Sequence, residues 1–378
     1  MRRHGAGQGP RRLPRRAGAA AGASGAVSRA DRLVALLEER ELDCLLVTQL
    51  VNVRYLTGFT GTNGACVVTR DARLFLTDFR YVQQAKQQVP EFEHLEASRE
   101  LLGDLAAQLG GRAGFDDAHV SVRAHRLLSE KVGEGVELVP GAGVVEGLRA
   151  VKDDEELRAI RAAVEVADAA YQELRAAGLA GRTEREVARS IVRFLEDRGA
   201  DEVSFPPIVA AGAHGALPHA APRDVPIPRG TLVVVDLGAR VDGYCSDCTR
   251  TLATGSLEDR PLEAYEAVRR AQQAAVDDVR AGAVCRDLDA MAREMVESSF
   301  GTGFEHGLGH GVGLEVHEGP RLAATAEGSL EPGNVVTVEP GVYVPGEFGI
   351  RIEDLVAVTG DGRDVLTGFP KELVTVDG

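Results

Sequence analysis

The chain has 378 residues, of which 44% are hydrophobic, and this length and composition fit a globular protein of two or three domains. Its formal net charge of −15 argues against nucleic acid as a main partner, because phosphate binding needs a basic surface. No apolar run approaches the roughly 18 residues of a membrane span, and the five scattered cysteines indicate no disulfide framework, which favours a reducing, cytoplasmic location.

Residues 1–28 are rich in Arg, Gly, Ala and Pro and contain no acidic residue. An Arg-rich, acid-poor start is typical of a transit peptide, but serine is scarce here and no amphipathic period is visible. We therefore expect a disordered tail ahead of the first domain, with Val27 as a candidate alternative first codon.

From residue 29 onward the pattern is that of a folded domain. An amphipathic helix is predicted after Ser28, a suitable N-cap, with Leu33 and Leu37 on its apolar face. The strand-like runs CLLVT, ACVVTR and RLFLTD follow, separated by turn residues. Because strands and helices alternate to about residue 140, residues 29–145 are predicted to form an α/β domain.

A second domain is predicted over residues 150–378. Its helices are expected from about Asp153 to Ala177, from a Thr183–Glu186 capping box to Gly199, and near 261–281 and 285–299. Strands and loops fill 202–254 and the C-terminal end. The helices lie in groups between sheet segments, which favours an α+β fold for this domain.

The segment LVVVDLGARVDGYCSDCTRT, 232–251, predicts a β-hairpin that brings two aspartates together. Asp236 lies in the first strand and Asp247 on the return strand. A turn centred on Val241–Asp242 places the two acids directly opposite each other, whereas one centred on Asp242–Gly243 makes them diagonal neighbours on one face. Like charges that face each other across a sheet are destabilising, so either register favours a bound cation, unless the face is simply solvated.

A second hairpin, VVTVEPGVYVPGEFGIRIEDLV at 335–356, has the same design. With a loop centred on Gly346, Glu339 lies opposite Glu353. Four carboxylates and one imidazole would form an oxygen-rich site for two divalent cations, with Mn²⁺, Co²⁺, Fe²⁺ and Zn²⁺ as candidates. Such a site favours metal-assisted hydrolysis.

Two other patterns are poor zinc candidates. Cys245 and Cys248 form a C-x-x-C, but no second pair of ligands stands at zinc-finger spacing. VHE at 316–318 lacks the second histidine and the helix of an H-E-x-x-H motif.

The sequence resembles the pita-bread metallopeptidases, the family of aminopeptidase P, prolidase and methionine aminopeptidase. The matching segments are LPHA, DLGARVDGYCSDCTRT, HGLGHGVGLEVHEGP, TVEPGVY and GIRIED, in the family's order. The resemblance covers the chain from about residue 29 and implies a dinuclear metal site, with Mn²⁺ as the first expectation. It places the metal ligands at Asp236, Asp247, His310, Glu339 and Glu353.

The resemblance also assigns residues around the metals. His219, His306 and His317 match positions that line the substrate pocket, and Arg351 matches a residue that orients the bridging acid Glu353. The alternatives are packing roles for the histidines and a simple Arg351–Glu353 ion pair. Glu339 or a nearby histidine is expected to return a proton to the proline nitrogen. Separately from these assignments, His214 is expected to be an ordinary loop residue, and Tyr244 and Tyr343 to be packing residues.

The leading domain resembles the aminopeptidase P branch most, through YLTGFTGTNGACVVT and LFLTDFRY. The expected activity is therefore release of an N-terminal residue that precedes proline, from peptides with proline at the second position. An Xaa-Pro dipeptidase is the alternative, and a non-catalytic binding scaffold is a more distant one. The resemblance implies a homodimer. AAGAHGA stands where relatives often have a Ser-Gly pair and an Asn, which affects the expected shape of the pocket.

Overall fold

The computed structural model describes residues 27–97, 101–141 and 143–376. The predicted disordered tail lies almost wholly outside these residues. None of the helices in the described ranges has the length and apolar character needed to cross a membrane.

The first half is a mixed six-stranded sheet with helices packed around it. Strand order is β4-β3-β2-β1-β5-β6, in which β1 pairs antiparallel with β2 and parallel with β5. The elements are α1 Arg29–Glu39, β1 Cys44–Val47, α2 Leu50–Thr57, β2 Gly64–Thr69, β3 Arg73–Thr77, α3 Val82–Gln88, β4 Glu93–Glu96, α4 Leu101–Ala106, β5 Arg112–Phe115, α5 Val122–Lys131, β6 Glu137–Pro140 and α6 Val144–Ala150.

Local sequence explains where the first helix begins. The Ser28 side chain accepts a hydrogen bond from the Asp31 backbone N–H, and the Asp31 carboxylate accepts one from the Ser28 backbone N–H. This capping box fixes the start of α1, and the helix then buries Leu33 and Leu37 completely. The predicted N-terminal helix is confirmed.

The second half contains four long helices and several small antiparallel sheets. The elements are α7 Asp154–Ala177, α8 Glu184–Asp197, β7 Glu202–Val203, β8 Ile208–Ala211, a 3₁₀ turn Gly212–Ala216, β9 Leu232–Leu237, β10 Ala239–Val241, β11 Tyr244–Cys245, β12 Cys248–Ala253, α9 Asp259–Asp278, α10 Cys285–Phe300, β13 Gly309–Gly311, β14 Glu318–Leu322, β15 Val335–Val338, β16 Gly341–Val344, β17 Phe348–Arg351, β18 Asp354–Val358 and β19 Arg363–Val365. All four predicted helices are present, and Thr183 and Glu186 form the predicted capping box.

The long helices cover the sheets from outside. Helices α7 and α8 pack on β8, β9 and β12 through a core that includes Tyr171, Ile191 and Val235. Helices α9 and α10 pack on β15 and β18 through a second core, with Val268 and Val336 among its members. The strands that carry the candidate site acids are therefore supported by buried helix–sheet packing.

A third core joins the two halves of the chain. It contains Leu33 and Tyr55 from the first half together with Ile160, Val312 and Leu355 from the second. At its edge the Arg29 guanidinium lies 3.0 Å from an Asp153 carboxylate oxygen. The leading domain is thus packed directly against the elements that carry the candidate site.

Candidate metal centre and active site

The first hairpin adopts the second of the two predicted registers. Asp242 and Gly243 have φ values of 49° and 81°, as a two-residue hairpin turn with both central residues left-handed requires. Thr249 is the partner of Asp236 in the ladder. Asp247, two residues before Thr249, is therefore a diagonal neighbour of Asp236 on the same face.

The second hairpin has the predicted register. Val338 pairs with Asp354, and Gly341 pairs with Arg351, so the intervening Glu339 and Glu353 face each other. Gly346 lies at the tip with φ of 79°. A short break between β15–β18 and β16–β17 places these two acids at the point where one ladder ends and the next begins.

His310 reaches the acids because its neighbours are glycines. A Cβ on Gly309 would lie 2.0 Å from the Thr337 carbonyl oxygen, and a Cβ on Gly311 would lie 2.1 Å from that of Gly319. The strand can approach its neighbours this closely only without those side chains. His310 Nε2 then lies 3.3 Å from Glu339 Oε1 and 3.7 Å from Asp247 Oδ2.

The five expected ligands form one connected cluster. Potential ligand atoms lie within 4.8 Å of one another in three overlapping groups, which are Asp236–Asp247–Glu353, His310–Glu339–Glu353 and Asp247–His310–His317. Buried oxygens of Asp236 (Oδ1) and Glu353 (Oε1) have no hydrogen-bond partner. Since unsatisfied buried carboxylate oxygens are costly, these atoms fit direct coordination of a cation.

Burial and neighbouring negative charges shift the pKa values of the clustered acids. Burial, followed by repulsion from Glu353, raises the pKa of Asp247 well above its usual range, and burial and Glu339 do the same for Glu353. Burial also raises the pKa of Asp236, although Arg351 opposes the shift. Glu339 differs, because the hydrogen bond and charge of His310 outweigh burial and lower its pKa to about 2.

Arg351 contacts a different acid from the expected one. Its guanidinium donates to Asp236 Oδ2 at 2.7 Å and to the Thr249 hydroxyl at 2.9 Å, and it lies 3.8 Å from Glu339. Among the described residues, no hydrogen bond or ion pair joins Arg351 to Glu353. Arg351 is fully buried in the wall of the site and there orients Asp236 rather than the predicted bridging acid Glu353.

Tyr343 is a site residue that the sequence did not indicate. Its hydroxyl accepts a hydrogen bond from Arg351 at 3.1 Å and lies 3.0 Å from His306 Nε2. The expectation of a plain packing role for Tyr343 was wrong, because the tyrosine hydroxyl links the arginine to a predicted pocket histidine. Tyr244, by contrast, is buried in the core and donates to Glu156 at 3.1 Å.

The predicted pocket histidines lie at different depths. His306 is mostly buried beside Phe304, with ring centroids 5.1 Å apart, and burial lowers its pKa. The His317 ring centroid lies 4.4 Å from that of His310, and burial together with His310 lowers the pKa of His317. His219 is exposed and close enough for its charge to contribute to that shift.

Two polar clusters near these histidines were not predicted. His214 is not an ordinary loop residue, because its Nδ1 lies 2.9 Å from the buried carboxylate of Glu184. On either side of His317, Glu315 and Glu318 pair with the buried Arg149 at 2.8 and 2.6 Å, and Lys152 lies 2.6 Å from Glu318. No local sequence motif identified either cluster, since the partners are far apart in the chain.

Comparison with known families identifies the protein at the level of family. The sequence model of metallopeptidase family M24 matches residues 158–360. The chain belongs to metallopeptidase family M24. The model of the creatinase/prolidase N-terminal domain matches residues 29–151, ahead of the M24 match. The predicted family and fold, an α/β leading domain followed by an α+β pita-bread domain, are confirmed.

Individual M24 relatives cover nearly the whole chain. The Xaa-Pro dipeptidase of Pyrococcus furiosus is 35% identical over 352 residues, which are 92% of this chain and 99% of the relative. The solved Xaa-Pro dipeptidase from Bacillus anthracis is 38% identical with a TM-score of 0.88, and the alignment covers 92% of this chain and 99% of that one. The X-Pro aminopeptidase from Thermotoga maritima is 34% identical with a TM-score of 0.84, at 92% and 100% coverage.

Proposed function

We propose that this M24 metallopeptidase is a dinuclear metal-dependent Xaa-Pro dipeptidase. The observation that carries the metal-dependent activity is the cluster of five converging ligands with two unpartnered buried carboxylate oxygens. The dipeptidase specificity replaces the aminopeptidase reading favoured by the motifs of the leading domain. It is supported by the Xaa-Pro dipeptidases among the similar proteins and by the position of Arg321, which lies opposite His310 in the β13–β14 ladder.

The proposed metal site consists of the side chains of Asp236, Asp247, His310, Glu339 and Glu353. Two divalent cations there, with Mn²⁺ as the first candidate, would polarise the scissile carbonyl and activate a water molecule. The site holds four carboxylates and a single imidazole, so two divalent cations would neutralise its charge.

The chain's own side chains are proposed to handle protons and orientation. Glu339, already hydrogen-bonded to the Thr337 hydroxyl at 2.9 Å, accepts the proton of the attacking water and returns it to the proline nitrogen. Arg351 holds Asp236 in place. His219, His306 and His317 surround the substrate. An Xaa-Pro bond offers no amide N–H, so the site must rely on polarising the carbonyl and on fitting the proline ring.

Arg321 is the proposed recognition group for the free carboxylate of a dipeptide. It lies opposite His310 across the β13–β14 ladder, so the two side chains project from the same face of the sheet. Its positive charge contributes to the lowered pKa of His317, which places it within electrostatic range of the pocket. Within the described residues, exposed Arg321 has no hydrogen-bond or ion-pair partner, so its guanidinium is free to bind a substrate anion.

The test compares substrates of different length. Purified protein with Mn²⁺ is incubated with Ala-Pro and with Ala-Pro-Ala, and an Asp247→Ala variant serves as the inactive control. Cleavage of the dipeptide alone supports the proposal, whereas cleavage of the tripeptide restores the aminopeptidase alternative. If neither peptide is cleaved and both proteins hold equal amounts of metal, the enzyme proposal fails and the scaffold alternative takes its place.

A further inference from the structure

Glu184 is a buried carboxylate that the proposed chemistry does not use. It occupies the first residue of α8, directly after the N-cap Thr183, and only 1% of its side chain is exposed. A buried carboxylate is costly unless several donors satisfy it, so its partners indicate what it is for.

Among the described residues, the hydrogen-bond and ion-pair partners of the Glu184 side chain all come from one segment, residues 211–223. The backbone N–H of Ala211 donates to Oε1 at 3.0 Å, and the backbone N–H of Arg223 donates to Oε2 at 2.9 Å. His214 Nδ1 lies 2.9 Å from Oε2, and the Arg223 guanidinium donates to both oxygens, at 3.0 and 2.9 Å. These hydrogen bonds outweigh burial and keep the pKa of Glu184 below its usual range.

The bonds connect the two ends of the segment. Ala211 is the last residue of β8, and Arg223 stands twelve positions later, yet both donate to the same carboxylate. A loop with both ends fixed has fewer conformations available than one held at a single end. His214 lies inside the loop and adds a third attachment.

Segment 211–223 carries residues of the candidate site. Its Pro218 carbonyl accepts a hydrogen bond from Arg351 at 3.2 Å, and the adjacent His219 is exposed and close enough to His317 for its charge to lower the pKa of that residue. Gly215 contacts β17 so closely that a Cβ on Gly349 would lie 1.7 Å from the Gly215 carbonyl oxygen. The position of His219 therefore depends on how the whole segment is held.

We propose that Glu184 is a positioning residue that ties both ends of segment 211–223 together and thereby places His219 against the substrate. The placement of His219 against the substrate rests on the proposed function. The attachment of segment 211–223 to Glu184, called the clamp from here on, does not. The imidazole of His214 takes part in the clamp through its contact with the Glu184 carboxylate.

The first test measures the clamp without activity. Hydrogen–deuterium exchange is compared for the wild type, Glu184→Gln and the control Glu186→Gln, which removes the same charge from the same helical turn without a contact to the segment. Faster exchange across 211–223 in Glu184→Gln alone supports the clamp. Unchanged exchange overturns it. If Glu184→Gln does not fold, the half-exposed partner substitution Arg223→Gln replaces it, with the same two outcomes.

The second test asks whether the effect passes through His219. Glu184→Gln should lower kcat/KM for Ala-Pro by about tenfold to a hundredfold, the usual cost of a misplaced positioning group. In a His219→Ala background the same substitution should change kcat/KM by less than about twofold, because coupled residues are not additive. An equal loss in both backgrounds overturns the placement of His219. An inactive wild type refutes the proposed function instead, and the exchange result still decides the clamp.

Discussion

Replacing Arg321 by Gln is expected to impair hydrolysis of Ala-Pro more than hydrolysis of Ala-Pro amide. A hydrogen bond between charged partners contributes about 1.5–3 kcal/mol when one partner would otherwise be left unsatisfied. Since about 1.4 kcal/mol corresponds to a tenfold change in rate, this range spans about tenfold to somewhat over a hundredfold. Arg321 is exposed, so solvent screens its interaction with a carboxylate and the expected loss in kcat/KM is about tenfold.

The assay uses a substrate that lacks the anion. kcat/KM is measured for Ala-Pro and for Ala-Pro amide, with the wild type, Arg321→Gln and the exposed control Arg158→Gln. The variant should lose about tenfold on the acid and less than about twofold on the amide, because only the acid offers a carboxylate to the guanidinium. An equal loss on both substrates would refute the assignment, since it would mean that Arg321 supports the site rather than the substrate's terminus.

Three further substitutions test the metal site and its support. Asp247→Ala should hold less Mn²⁺ per chain than the wild type after dialysis, measured by elemental analysis; equal content would contradict its role as a ligand. Lys152→Met removes one partner of the buried Lys152–Glu318 ion pair, in which the lysine side chain is 0% exposed, and should lower the free energy of unfolding in urea by about 3–5 kcal/mol. The exposed control Arg158→Ala should lower it by under about 1 kcal/mol, and similar losses for the two variants would contradict the role of burial. Gly349→Ala places a methyl group 1.7 Å from a backbone oxygen and should lower the melting temperature and the activity, whereas Gly360→Ala, with nothing within 4 Å, should change neither.

The pairing of the acids could be predicted because strand periodicity and turn chemistry are local. Asp242–Gly243 is a favourable two-residue turn, and once it is fixed the strand alternation places Asp236 and Asp247 on one face. The sequence left two registers open for this hairpin, because Val241–Asp242 also makes a two-residue loop. The pairing of Asp236 with Thr249 and the positive φ values of Asp242 and Gly243 select between them.

The hydrogen bonds that hold the site residues in place could not be predicted, because they join residues that are distant in sequence. Arg351 and Asp236 are 115 positions apart and meet only through the packing of the two hairpins. The spacing of Arg351 and Glu353 predicted an ion pair between them, whereas the Arg351 guanidinium pairs with Asp236 instead. Tyr343 was assigned to packing because a tyrosine in a strand usually packs, and its hydroxyl contacts appear only in three dimensions.

The energetics of the metal cluster argue against the scaffold alternative. A binding scaffold has no need for the buried carboxylates of Asp236, Asp247 and Glu353, and burial together with mutual repulsion raises the pKa of all three. Two carboxylate oxygens also remain unpartnered in the interior, which is unfavourable for folding unless something binds them. Glycines on both sides of His310 permit an approach that any side chain would block. Cations held by these residues would offset the cost of the buried carboxylates, so the site fits bound metal better than it fits the stability of the chain alone.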